Sequence, residues 1–316
     1  MRLYLSATIL TLAWFGVSNA LASLGAWAAL GSIRRAAAAG RAPSATLLFA
    51  VRMAPIALAT LFACGVFLPA HWADESREGT EYFGVLLYAL AGLSLLIVWR
   101  SMVRTLRALR AFRALRHSWP RPLSGAAPVI DEDAMPGMSL AGVFRTTVLV
   151  GRPVREALSG DELEVAFAHE FAHQRSHDNI KRFAMFASPD FFSLTPAARE
   201  LERMWNAAVE CDADAVAVNG DAVRAANLAS ALVKVARLAG ASTHVPASPL
   251  WSTFYQPSLL EVRVRRLVGG ASVPPRSSLL STVLPVLLTV AVTSAWMTGV
   301  PRAVHEMTEL LVSLLP

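Results

Sequence analysis

His169 and His173 stand four residues apart with Glu170 between them, in the run His-Glu-Phe-Ala-His. On a helix this spacing puts both imidazoles on one face, about 6 Å apart along the axis. Two ligands of one zinc ion can use that separation, and Glu170 can then reach the water-bearing position as general base. Zinc lowers the pKa of its bound water to about 7, so a hydroxide nucleophile becomes available at neutral pH. The chain has 7 histidines in 316 residues, and chance produces such a motif in roughly one chain of this kind in a hundred or fewer. The motif is informative, but it needs a third ligand to become a site.

His177 continues the same helical face, yet it lies about 12 Å along the axis from His169, too far for all three rings to meet at one ion. The extended zinc motif with a third histidine further on is also absent, because Ser176 and Asn179 stand where its Gly and His would be. The remaining acids form the run Glu210-Cys211-Asp212-Ala213-Asp214. Glu210 and Asp214 share one helical face in a stretch dominated by Ala and Val, and buried carboxylates need partners. Glu210 is therefore expected as the third ligand, and Asp214 as the acid that holds a histidine N–H. The competing reading is a solvated acidic helix face.

These residues need elements to carry them. Ser159 with Glu162 three residues on forms a capping box, which opens a helix expected to run through the motif to about Ser176. A second helix is expected from Pro196 to about Val218, stopped by Asn219-Gly220, and helix resumes from Asp221 to Leu238. Phe144–Val150 is β-branched, short and bounded by glycines, and predicts a strand. Pro120–Ala134, rich in Pro, Gly and acids, predicts a linker.

Only 16% of residues are charged and 54% are hydrophobic, against about 25% charged in soluble domains. The apolar residues lie in runs. Leu3–Leu30, Met53–Ala70, Tyr82–Trp99 and Ser278–Val300 each approach the roughly 20 residues a spanning helix needs. Arg52 precedes the second run and is expected to snorkel to the interface, with Pro55 in the first helical turn. Arg34, Arg35 and Arg41 fill the first loop, while Asp74, Glu75, Glu78 and Glu81 dominate the second. Seven arginines from Arg100 to Arg121 follow the third span, and Arg263, Arg265, Arg266 and Arg276 precede the fourth. The positive-inside rule then makes the first loop and the region between the third and fourth spans cytoplasmic, with both termini outside. Cleavage of the first run as a signal peptide after Ala20-Leu21-Ala22 is the rival reading, and it would invert that charge pattern. The net charge is +6, but the arginines from Arg104 to Arg116 recur every third residue and spiral around a helix, which suits a cationic helix leaving a membrane better than nucleic acid. Cys64 and Cys211 form neither a disulfide framework nor a metal knuckle.

His-Glu-Phe-Ala-His-Gln-Arg-Ser-His-Asp at 169–178, followed by Glu-Cys-Asp-Ala-Asp at 210–214, resembles the HExxH…ExxAD pattern of the HtpX and CAAX-prenyl-protease group of membrane metallopeptidases. The resemblance covers roughly residues 140–268. It implies His169, His173 and Glu210 as zinc ligands, Glu170 as base, Asp214 as supporting acid and Asp178 as a structural acid. The helix around Glu261–Leu267 is similar to the Arg-containing helix that closes such domains. The His-Pro that often precedes it is Gln256-Pro257 here, so the oxyanion donor is open, with Arg263, Tyr255 and His244 as candidates. His71, His117 and His305 read as interface residues. The topology is more similar to that of the BlaR/MecR sensor peptidases.

Together these readings predict an α+β, mostly α chain with four transmembrane helices and a zincin-like (gluzincin) domain inserted between the third and fourth. The expected layout is a membrane region over 1–102, a cytoplasmic metallopeptidase domain over 103–275, and a fourth span with a short tail over 276–316. The expected function is zinc-dependent endopeptidase action on membrane-associated or cytosolic proteins, for quality control or regulator cleavage. The expected location is a bacterial cell membrane, and the expected partners are the bilayer and a protein substrate, without nucleic acid. The alternative is a transmembrane receptor whose zinc domain is structural or acts only on a repressor, although the outer loop and the tail, whose leucines suit a membrane surface, leave little room for a sensor. A prenyl-protein protease would need a larger membrane chamber than four spans build.

Overall fold

A computed structural model of the chain describes residues 2–74, 84–117, 129–130, 137–240, 251–254, 256–270 and 306–308. The expected fourth span, most of the Pro120–Ala134 linker, and His244, Tyr255 and His305 lie outside the described residues. The chain is mostly helical, and three helical segments are long and apolar enough to cross a membrane: Tyr4–Ala38, Ala45–Trp72 and Val85–Ala114. It divides into two compact units. The first holds Met1–Val103 and Ser188–Met204 with residues 306–308, and the second holds Arg104–Ala187 and Trp205–Ser277.

In the first unit, α1 (Arg2–Ala38) packs with α2 (Ala45–Phe62), which continues through a π-turn (Ala63–Phe67) into α3 (Leu68–Asp74). Ser44 caps α2 by accepting from the Leu47 N–H. The helix therefore starts well before Met53, and Pro55 lies in its interior instead of its first turn. Gly16 of α1 approaches α4 (Val85–His117) so closely that a Cβ there would stand 2.4 Å from Ser94 Oγ, the small-residue contact that lets membrane helices touch. Leu10, Trp14, Phe67 and Leu87 pack around this junction.

Arg52 does not snorkel. It is buried and donates from Nη1 to Asp190 (3.1 Å) and from Nε to Glu202 (2.7 Å). Asn19 and Ser23 of α1 accept from the Phe191 and Phe192 N–H groups. These polar contacts explain why Ser188–Met204 groups with the apolar helices, a departure from the continuous 103–275 domain expected. Removing one partner of a buried ion pair costs about 3–5 kcal/mol. Arg52→Leu is accordingly expected to lower the unfolding midpoint in detergent strongly, and the Arg52→Leu/Asp190→Leu double variant is expected to recover part of that loss.

The second unit carries a four-stranded sheet of order β1-β3-β2-β4, from β1 (Val129–Ile130), β2 (Met138–Ala141), β3 (Thr147–Gly151) and β4 (Trp251–Thr253). β2 and β3 form an antiparallel hairpin with Met138 opposite Val150 and Ala141 opposite Thr147. Phe144–Thr146, expected as strand, turn the hairpin. Gly142 makes the turn possible: its φ is 102°, and a Cβ would lie 2.3 Å from the Arg145 carbonyl. After α5 (Arg152–Ala157) comes α6 (Gly160–Arg175), then α7 (Asp178–Ala187), α8 (Pro196–Val218), α9 (Ala222–Gly240) and α10 (Leu260–Val268). α9 presents Leu228, Leu232 and Val235 at helical spacing to Leu140 and Val148 of the sheet and to Val165 and Ala166 of α6, in one apolar core. Beyond the apolar stretch of α4, Arg107, Arg110, Arg113 and Arg116 are exposed.

The capping box at the start of α6 is complete: Ser159 Oγ accepts from the Glu162 N–H, and Glu162 accepts from the Ser159 N–H at 2.7 Å. Glu162 also accepts from Ser230 (2.6 Å) and Lys234 (2.7 Å) of α9. Burial alone would raise its pKa, but the lysine, the hydroxyl and the backbone donor outweigh that and hold it at about 2, against 4.5 unperturbed. Because the folded value is the lower one, the stabilisation is present above pH 4.5 and is lost as pH falls towards about 2. Unfolding measured over that window is expected to show a smaller slope in Glu162→Gln than in the unchanged protein.

Candidate metal centre

α6 brings His169, Glu170 and His173 to its buried face, and α8 brings Glu210 and Asp214 to meet them. His169 and His173 set their rings edge to face with centroids 4.7 Å apart. Their Nε2 atoms are 3.1 Å apart. Glu210 faces both, with Oε2 at 3.5 Å from His169 Nε2 and Oε1 at 3.6 Å from His173 Nε2. Ligand atoms of the three residues all lie within 4.8 Å of one another, so this buried His-His-Glu group could hold a metal ion. His177 does not join them. It is exposed, with φ 55°, and forms the left-handed corner between α6 and α7.

Acids on other helices hold the outer edges of both rings. Asp214 Oδ1 is 2.9 Å from His169 Nδ1, and Asp178 Oδ2 is 2.9 Å from His173 Nδ1. A carboxylate opposite Nδ1 selects the Nδ1–H tautomer, which leaves each Nε2 with a lone pair. Two such lone pairs face one another across 3.1 Å. That arrangement is repulsive unless a cation or a proton sits between them.

The charge balance makes the same demand. Burial and the nearby Arg263 both push His169 down, yet Asp214 and Glu210 prevail and raise its pKa to about 9. Burial also works against ionisation of Glu210, but Arg263 and the two histidines hold it at about 2. Glu170 is the exception. It is fully buried, neither carboxylate oxygen has a hydrogen-bond partner, and burial pushes its pKa up. Two imidazole nitrogens and a carboxylate oxygen, with an unpartnered carboxylate beside them, form a donor set that could hold a metal ion.

Arg263 of α10 lies buried behind Asp214. It donates to Asp214 from Nε (2.8 Å) and Nη2 (2.6 Å) and to the Phe254 carbonyl from Nη1 (2.8 Å). Nη1 also stands 2.9 Å from Glu210 Oε2. Its donors are thus directed at the acids of the site and at backbone, and Nη2 also stands 3.4 Å from His169 Nε2. Gln256, at the position of the expected histidine, reaches Glu210 Oε1 from 3.5 Å.

Arg182 escapes sequence reasoning. It donates to Asn179 (3.0 Å) and to Asn206 (3.2 Å), and its guanidinium lies over the Trp205 ring. Burial lowers its pKa, while Glu210, Asp178 and Glu170 act in the opposite direction. Its cation therefore contributes to the field of the site although no carboxylate among the described residues hydrogen-bonds to it. The only signal available was its i,i+4 spacing from Asp178, which many helical arginines share. Comparison with known protein families finds no match, and comparison with curated proteins finds none.

Proposed function

We propose that the chain is a membrane-embedded zinc endopeptidase, with His169, His173 and Glu210 as ligands and Glu170 as general base. The observation that carries this reading is the pair of Nε2 atoms 3.1 Å apart, with an acid on each Nδ1, beside a buried carboxylate with no hydrogen-bond partner. Zinc held by these three residues would supply a Lewis acid and an activated water. Glu170, one residue from a ligand, is placed as the general base, to hold a proton at its carboxylate and return it to the departing amine of the peptide. Its burial, which pushes the carboxyl pKa up, suits a group that must hold a proton and give it back. Asp214 and Asp178 keep the imidazoles in the tautomer that binds metal, and Arg263 neutralises and orients Asp214. In this reading Arg263 positions the site through Asp214.

The three apolar helices, the loop charges and the resemblance of the motifs to the HtpX and CAAX-prenyl-protease group support four spans, a zincin-like domain on the cytoplasmic side, and termini outside. The substrates are then membrane-associated or cytosolic proteins. The test is metal content and casein hydrolysis of the detergent-purified protein, with and without a zinc chelator. Stoichiometric zinc with hydrolysis that chelation removes and zinc restores is expected. Bound zinc with inert protein on casein and on membrane proteins alike would sink the peptidase reading and favour a structural zinc domain.

A further inference from the structure

A cavity of about 360 Å³ lies in the second unit against one of the metal-binding side chains. His173 lines it together with the β2–β3 turn that carries Phe144, Arg145 and Thr146. Its shape is built in. The buried Asn179 side-chain amide donates to the carbonyls of Leu140 (2.9 Å) and Gly142 (2.8 Å), which ties the hairpin to the start of α7. Gln174, one residue beyond the ligand His173, donates to Thr146 Oγ1 at 2.9 Å and ties the same turn to α6. Two left-handed residues, Gly142 (φ 102°) and His177 (φ 55°), stand at the two ends of this construction. A turn fastened from both sides and held in a conformation closed to most side chains has a fixed cavity beneath it.

Among the described residues of the lining, Arg145 carries the fixed charge, His177, Gln174 and Thr146 add polar groups, and there is no Asp or Glu. Phe144 stands at its rim and is 81% exposed, the most exposed large apolar side chain among the described residues. A carboxylate entering under this turn would meet the Arg145 guanidinium, since the acids around His173, Asp178 and Glu210, are buried and already paired with Lys181 and Arg263, and Phe144 would cover the aliphatic part of the entering chain.

We infer that this cavity is a substrate subsite that takes an acidic side chain, Glu or Asp, from a residue close to the scissile bond, with Arg145 as the residue that selects for it. The inference rests on the peptidase reading for the word substrate, while the site itself stands on the geometry beside His173. Arg145 is exposed, so its selectivity is of the size of a solvent-facing ion pair and is screened by salt.

The probe is a set of fluorescein-labelled ten-residue peptides with one Glu scanned along an otherwise neutral sequence, and matched sets with Gln or Lys at the same places. Binding is read by anisotropy on full-length, zinc-loaded Glu170→Gln protein, where no turnover intervenes. At one register the Glu peptide is expected to bind about fivefold tighter than the Gln peptide at low salt. Arg145→Lys should retain that order, Arg145→Ala should erase it, and Arg145→Glu should invert it in favour of Lys. Equal binding of all three sets, no binding at all, or a preference that Arg145→Glu leaves unchanged would overturn the inference. Casein hydrolysis by the unchanged protein separates this result from the peptidase reading. Hydrolysis without any charge preference sinks the subsite alone, and an Arg145-dependent preference without hydrolysis sinks the peptidase alone.

Discussion

Glu170→Gln is expected to reduce casein hydrolysis by about a thousandfold while bound zinc stays near one per chain. The substitution keeps the shape of the side chain and removes only its ability to accept and return a proton. Because neither Glu170 oxygen has a hydrogen-bond partner, no structural contact is lost with it. The change should even stabilise the metal-free protein, since it replaces a fully buried ionisable group by a neutral one. Activity should therefore collapse while the thermal midpoint holds or rises. This opposition separates a group kept for chemistry from one kept for folding. A Glu170→Gln protein that hydrolyses casein at the unchanged rate would move the base elsewhere, with Asp212 the next acid to test.

The second large effect concerns the metal. Glu210→Ala should weaken zinc binding by at least about a hundredfold, the range in which even supporting residues act. It leaves two imidazole nitrogens where three ligand atoms now converge within 4.8 Å. It also deprives Arg263 of a carboxylate 2.9 Å away, so some loss of stability should accompany the loss of metal. Asp212→Ala is the control. Asp212 belongs to the same acidic run but is not one of the three converging groups, and its zinc affinity should change little. Asp214→Asn should fall between the two, because it retains the bulk beside His169 but holds the imidazole less well. Competition with a chromophoric chelator ranks all three. Equal losses in Asp212→Ala and Glu210→Ala would assign the ligand wrongly to Glu210.

Much of this site was legible because its signals are local. The Ser159–Glu162 capping box sets the start of α6, and Pro196 and Asn219-Gly220 delimit α8, so the helices that carry Glu170 and Glu210 follow from residues within a few positions of their ends. What stayed hidden depends on distant partners. Phe144–Thr146 have strand-like composition, but β2 returns against β3 and makes them a turn. The start of α7 depends on His177 adopting a left-handed conformation, which a β-branched residue would refuse but histidine tolerates. Arg263 was legible as part of a closing helix, whereas its pairing with Asp214 spans 49 residues. Arg182 was invisible for the same reason, since Asn206 lies 24 residues away on another helix. Arg52 looked like an interfacial residue because nothing near it in sequence can neutralise it.

That last pairing carries a consequence for how the protein is made. Arg52 and Asp190 are separated by 138 residues. At about 5–20 residues per second of synthesis, roughly 7–30 s pass between the two. During that interval α2 carries Arg52 before Asp190 and Glu202 have been made. For an α2 that crosses a bilayer, the arginine is expected to stay at the headgroup level until these acids arrive. Late assembly of this unit is then expected, and a chain truncated before residue 190 should leave α2 poorly inserted however apolar it is.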